Sequence, residues 1–158
     1  MSAATIGIGL AGLIVGVAVS RLSLWLAATD EVPQKPSSLK RDAVLALAGG
    51  GLGLWAALVS PELTIALFGA LLGWQLLMLA VVDFENFWLP DVLTWPLVAT
   101  GLLAAFLAEP EALTARAIGA VAGFAALWLM GWLYRRMRGR DGLGGGDPFL
   151  MAGAGAWV

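Results

Sequence analysis

Long apolar stretches separated by short polar breaks are the feature that most constrains how this chain folds. The first five are close to the roughly 20 residues that a helix needs to cross a bilayer. The sixth has 11 residues and reaches about half of that thickness. The stretches cover residues 4–28, 43–59, 63–82, 92–108, 114–134 and 148–158.

Composition agrees with this reading. The chain has 60% hydrophobic and 13% charged residues, whereas about a quarter of the residues of a soluble domain are charged. We therefore predict an all-α fold, a polytopic membrane helix bundle of about six spanning segments with the last incomplete. Residues 1–158 are expected to form a single membrane domain. Because the final segment is only half a span, we expect the native protein to continue beyond it.

The basic residues predict the orientation of the spans. Seven of the nine Lys and Arg residues lie in two polar breaks, residues 29–42 and 135–147. Since Lys and Arg are enriched in cytoplasmic loops, both breaks are predicted to be cytoplasmic loops and the N-terminus to lie outside. Alternation through the spans then brings Asp83 and Asp147 to the same cytoplasmic membrane boundary. No feature of the chain supports nucleic-acid binding.

The absence of two residue types restricts the chemistry that this chain can perform. It has no His and no Cys, so a thiol nucleophile, a Cys/His zinc site, a disulfide and a histidine acid-base group are excluded. We expect no metal and no cofactor. Carboxylates must carry any proton transfer, and two of them brought together cannot both ionise readily, so one acts as acid and the other as base. This arrangement can split an amide bond with an activated water.

Each acidic candidate also has a purely structural interpretation. Asp83 follows an apolar run and could be a solvated residue at a helix end, and Asp147 before Pro148 could be an N-cap. Asp91 is expected to cap the following span, while Glu85 is expected to face solvent in an irregular segment. The glycines before Asp147 would let the backbone approach another group closely.

Two segments carry a resemblance to a known family. The segment VDFENFWLPDVLTWPL, with Asp83, resembles the first aspartate motif of the type IV prepilin peptidases, and GLGGGDPFLMAGAGAWV, with Asp147, resembles their Gly-x-Gly-Asp motif. Both occur in the family's order with two predicted spans between them, and the resemblance covers roughly residues 60–158.

The resemblance implies a membrane aspartic endopeptidase of the bacterial inner membrane. Such enzymes remove the basic leader of prepilin and pseudopilin precursors at the cytoplasmic boundary. Asp83 and Asp147 correspond to the catalytic pair, and Gly144, Gly146, Pro90 and Asp91 to supporting motif residues. The implied partners are a prepilin or pseudopilin precursor and the lipid bilayer.

The chain also departs from the family pattern. Phe149 stands where many relatives have Lys, and the break at residues 29–42 is short and lacks the Cys-x-x-Cys motifs of the zinc-binding insertion found in bifunctional members. The resemblance therefore gives no support for N-methylation. Family members usually have further spans after the second motif.

Three other interpretations remain open. The chain could be a catalytically impaired pseudopeptidase that binds pilin-like helices, or a non-enzymatic or proton-coupled membrane protein whose boundary acids bind cations or face water. A transporter would be expected to show inverted repeats and a midplane site, and no repeat is evident. A hydrolase built from Ser37 or Ser38 with Lys40 is the third, although their segment reads as an ordinary polar loop.

Overall fold

The structure is a computed structural model that describes residues 2–28, 38–60, 62–87 and 89–158. All regular secondary structure among the described residues is helical, which confirms the all-α prediction. A short 3-10 turn, Pro110–Ala112, leads into the fifth helix. The six α-helices are α1 (Ala3–Ala27), α2 (Leu39–Val59), α3 (Leu63–Asn86), α4 (Asp91–Ala108), α5 (Leu113–Arg138) and α6 (Asp147–Trp157).

Five of these helices, α1 to α5, are long and apolar enough to cross a membrane. Large apolar side chains on them face outward: Ile14, Leu47 and Val121 are each at least 70% exposed. A soluble domain rarely exposes continuous apolar surface of this kind, so these faces suit contact with lipid. The sixth helix has 11 residues, in agreement with the predicted half-span.

The helices extend beyond the apolar stretches that predicted them. α2 begins inside the polar break 29–42, of which residues 29–37 lie outside the described residues. α5 continues four residues into the break 135–147, and α3 continues four residues past the apolar run that ends at 82. Hydropathy marks where side chains become polar, whereas backbone hydrogen bonding continues until a residue ends the helix.

Capping residues set these ends. The Ser38 side chain accepts a hydrogen bond from the Arg41 amide and starts α2. Phe87 and Gly139 adopt positive φ values of 51° and 67° and end α3 and α5, as is common at helix C-termini.

The cytoplasmic placement of residues 29–42 and 135–147 stays a prediction.

The helices divide into two compact units, residues 1–87 with α1 to α3 and residues 88–158 with α4 to α6. The prediction that residues 1–158 form one membrane domain is not tested by this division, since one helix bundle can contain two packing units. It stays a prediction.

Close backbone contact holds α1 and α2 together in the first unit. A Cβ atom added to Gly12 would lie 2.7 Å from the Gly49 carbonyl carbon, and one added to Gly49 would lie 2.9 Å from the Gly16 nitrogen. Small residues allow such approach in lipid, where apolar surface alone does not drive helices together. α3 joins through the Trp74 indole, which donates to the Gly49 carbonyl at 2.9 Å.

The second unit is built around α6, which packs on both α4 and α5. A Cβ added to Gly101 of α4 would lie 2.9 Å from the Ala156 Cβ, and one added to Gly119 of α5 would lie 2.8 Å from the Gly155 carbonyl oxygen. The Trp157 indole donates to the Leu97 carbonyl at 2.9 Å. Small residues thus bring a short helix close to two longer neighbours.

Two glycines of α2 allow a direct test of this packing. Gly49→Ala is expected to destabilise the protein by about 1–3 kcal/mol, because the new methyl group meets α1 backbone that cannot move aside. Gly51→Ala is the matched control, since nothing lies within 4 Å of its added Cβ. Unfolding of both variants in detergent measures the difference, and equal stabilities would contradict the proposed contact.

Candidate active site

Asp83 lies in the last turn of α3 and is exposed, which agrees with the structural interpretation of a solvated residue at a helix end. Its backbone carbonyl accepts a hydrogen bond from the Phe87 amide at 2.7 Å. Val82, directly before it, is fully buried, whereas Asp83 itself is exposed. Its carboxylate makes no hydrogen bond or ion pair with the described residues and is therefore available to a substrate or a water.

Glu85 differs from its prediction. It is exposed, as expected, but it lies in the last turn of α3 and not in an irregular segment. Its carboxylate forms an ion pair with Arg41 of α2 at 2.8 Å. The helix continues because the apolar face of α3 still packs at Val82 and the left-handed conformation comes only at Phe87.

Asp147 is the first residue of α6 and closes a tight turn. Its Oδ2 atom accepts a hydrogen bond from the Gly144 amide at 2.9 Å, and its own amide donates to the Gly144 carbonyl at 3.3 Å. Gly146, one residue earlier, occupies the N-cap position that was predicted for Asp147. The carboxylate therefore bonds backward to the glycine loop, and this bond fixes its orientation.

Gly146 connects this turn to the segment before α4. It is buried, and a Cβ added to it would lie 2.8 Å from the Leu89 Cβ and would also meet the Leu89 carbonyl oxygen. Pro90, which follows Leu89, is buried as well. The structure thus brings Gly144, Gly146 and Asp147 together with the start of α4.

Asp91 does not cap α4 as predicted. Pro90 is the N-cap residue, and Asp91 is the first helical residue. The Asp91 side chain is exposed, and its carbonyl accepts a hydrogen bond from the Thr94 hydroxyl at 3.2 Å. Pro90 fits the N-cap because its ring fixes an extended backbone and the cap here makes no side-chain hydrogen bond.

Phe149, the departure from the family pattern, packs in an aromatic cluster. Its ring centroid lies 5.3 Å from that of Trp95 and 5.0 Å from that of Phe124. Rings at such separations attract each other. Phe149 therefore joins α6 to α4 and α5 beside Asp147, a role that its position in the sequence alone did not reveal.

Two further sequence candidates have structural outcomes. Ser38, considered as a nucleophile, acts as the cap of α2, and Ser37 lies outside the described residues. Within the described ranges, no group of three or more His, Cys, Asp or Glu residues is placed to hold a metal ion.

Asp83 belongs to the first unit and Asp147 to the second. The pairing of these two aspartates stays a prediction.

The five long apolar helices define a polytopic membrane protein of the all-α class. Comparison with protein families agrees. The chain belongs to the type IV leader peptidase family, whose family model matches residues 70–158 and thus includes both aspartates.

Curated relatives point to the same family. The chain is 39% identical over 117 residues to a prepilin leader peptidase/N-methyltransferase of Burkholderia pseudomallei, covering 73% of this chain and 37% of that protein. It is 43% identical over 95 residues to one of Dickeya chrysanthemi, covering 60% and 34%. For one of Klebsiella pneumoniae the identity is 39% over 116 residues, covering 73% and 50%. The chain thus spans about a third to a half of these relatives. No solved structure gives a significant match.

Neighbouring glycines test the turn that holds Asp147. Gly146→Ala is expected to lower stability by about 1–3 kcal/mol, because the added methyl group meets the Leu89 backbone. Gly145→Ala is the control, expected within about 0.5 kcal/mol of the parent, since its Cβ has no neighbour within 4 Å. Thermal unfolding of purified protein compares them, and a Gly146→Ala variant as stable as the control would disprove the contact.

Proposed function

We propose that this chain is a membrane aspartic endopeptidase that removes the N-terminal leader of type IV prepilin or pseudopilin precursors. The match to the type IV leader peptidase family over residues 70–158 carries this proposal, because that segment contains both aspartate motifs. The names of the relatives support the same reaction.

In the proposed mechanism, Asp83 and Asp147 hold one hydrolytic water between them. The ionised carboxylate removes a proton from the water, which attacks the carbonyl carbon of the scissile amide, while the protonated carboxyl donates to the carbonyl oxygen. No covalent acyl-enzyme forms. The two roles belong to the pair, and neither is assigned to one residue.

The local structures suit these roles. The bond from the Gly144 amide occupies Oδ2 of Asp147, which holds the carboxylate in one orientation, as preorganised catalysis requires. Asp83 is exposed near the end of a long apolar helix, where its carboxylate is accessible. Gly144 and Gly146 support Asp147 through the turn, and Pro90 and Asp91 start the helix against which this turn packs.

The proposed substrate is a precursor with a short basic leader followed by an apolar helix. We place the reaction at the cytoplasmic boundary of the bacterial inner membrane, with the N-terminus of the chain outside. A helix that enters from lipid would present its end at this boundary. N-methylation does not form part of the proposal, although the relatives' names include it.

A pilin-binding pseudopeptidase is the second candidate. Phe149 favours it, because this ring is committed to packing against Trp95 and Phe124 at the position where many relatives have Lys. A chain of this kind would bind the precursor helix without cleaving it.

Substitution of the two acids tests the proposed reaction. Asp83→Asn and Asp147→Asn are each expected to lower the cleavage rate by at least about 10²-fold, since general acid-base groups contribute 10²–10⁴-fold. The assay uses the protein in lipid vesicles with a precursor peptide of a basic leader and an apolar helix. Asp141→Asn is the control, because this exposed acid pairs with Arg135 in the last turn of α5 and has no proposed role in the reaction.

The outcomes separate the candidate functions. Cleavage that persists in either active-site variant would exclude the carboxylate pair. A parent protein that binds the peptide without cutting it would identify a pseudopeptidase. A parent protein that does neither would favour the non-enzymatic or proton-coupled interpretation.

A further inference from the structure

A polar cluster joins all three helices of the first unit at the end of α3 that carries Asp83. It contains Ser20 and Ser23 of α1, Arg41 and Asp42 of α2, and Glu85 of α3. Both serines are fully buried, and Asp42 is 9% exposed. Polar groups buried in an apolar bundle are costly unless they are hydrogen-bonded, so the contacts among these side chains are needed to keep them there.

Arg41 is the centre of the cluster. Its guanidinium donates to both carboxylate oxygens of Glu85, from Nη2 to Oε2 at 2.8 Å and from Nε to Oε1 at 3.1 Å. It also donates to the Ser23 hydroxyl at 2.8 Å and to the Ser20 hydroxyl at 2.9 Å. The Arg41 side chain is only 18% exposed. Its planar fork suits this bidentate contact, and a lysine ammonium does not reproduce it.

The α2 backbone at Arg41 is itself anchored to α1. Asp42, the next residue, pairs with Arg21 at 2.8 Å and accepts a hydrogen bond from the Ser20 hydroxyl. Arg41 therefore reaches α3 from a fixed base on two helices.

The sequence of α3 explains why this contact is needed. Asp83 and Glu85 both lie near the C-terminal end of α3, where the helix dipole disfavours negative charge, and the last turn contains no basic residue. In α5, by contrast, Arg135, Arg136 and Arg138 occupy the last turn. The cation that stabilises the end of α3 comes from a different helix.

We propose that Arg41 is a positioning residue for the reaction, which acts by holding the last turn of α3 through Glu85 and thereby fixes Asp83. The Asp83 carbonyl accepts from the Phe87 amide across this same turn, so loosening Glu85 loosens the backbone that carries Asp83. This inference rests on the proposed peptidase function, since it assigns Asp83 a catalytic task.

Two readouts test it on the full chain in vesicles. In Glu85→Gln, hydrogen exchange at the Phe87 amide is expected to rise about tenfold or more, because local opening of this turn becomes easier. The kcat for precursor cleavage is expected to fall about 10- to 100-fold, as for a displaced catalytic group, while the KM stays within about twofold of the parent value.

The two Arg41 variants, Arg41→Gln and Arg41→Lys, should show the same changes in exchange and kcat as Glu85→Gln. The double variant Arg41→Gln with Glu85→Gln should lose little more than either single variant, because one shared contact is removed.

Arg135→Gln is the matched control, since it removes an arginine from an exposed ion pair with Asp141 that includes no residue of the cluster or of α3. It should leave Phe87 exchange and kcat unchanged. Unchanged exchange in Glu85→Gln would overturn the proposal, and so would faster exchange with normal kcat. A drop in kcat of equal size in Arg135→Gln would also overturn it, because the loss would then not depend on the contact between Arg41 and α3. If the parent protein does not cleave the peptide, the proposed function fails, and Asp83 then has no catalytic task for Arg41 to support.

Discussion

Backbone-to-backbone contact through small residues is the interaction on which the rest of the structure depends. In a membrane, an apolar side chain gains little free energy when it exchanges contact with lipid for contact with another helix. Helices therefore associate through close packing and polar contacts. Gly12 and Gly49 bring α1 and α2 into this contact, and Gly119 and Gly155 do so for α5 and α6. Each unit thus contains one pair of helices joined through glycine at the backbone.

The two aspartates occupy opposite kinds of helix end. Asp83 lies near the C-terminus of α3, where backbone carbonyls point outward, while Asp147 lies in the first turn of α6, where amides point outward. The Gly144 amide bonds Asp147 directly. Each carboxylate is thus set in a different local field by its own helix.

The sequence predicted the helices well and their ends poorly. Long apolar runs identify α1 to α5 because a span must be apolar, but charged residues such as Glu85 and Arg135 continue a helix without altering its core. Asp91 was misassigned as a cap because the preceding Pro90 already fits that position. The Gly146 to Leu89 contact and the Arg41 to Glu85 pair join residues far apart along the chain, 44 positions for the latter. The sequence did contain one indication of the Arg41 to Glu85 pair. Two acids lie near the C-terminus of α3 and its last turn has no basic residue, so a cation from another helix could have been expected there.

The second motif is best understood together with the start of α4. Gly146 packs on Leu89 before α6 begins, and Trp157 bonds the Leu97 carbonyl where α6 ends. A helix of 11 residues is marginal on its own, because helix nucleation is costly and few bonds compensate for it. Since α6 contacts Leu89 just before α4 at its start and Leu97 of α4 at its end, the position of Asp147 depends on these contacts as well as on its own loop. The Leu-Pro-Asp segment therefore supports Asp147 through packing, and its acid need not contact a substrate for the segment to matter.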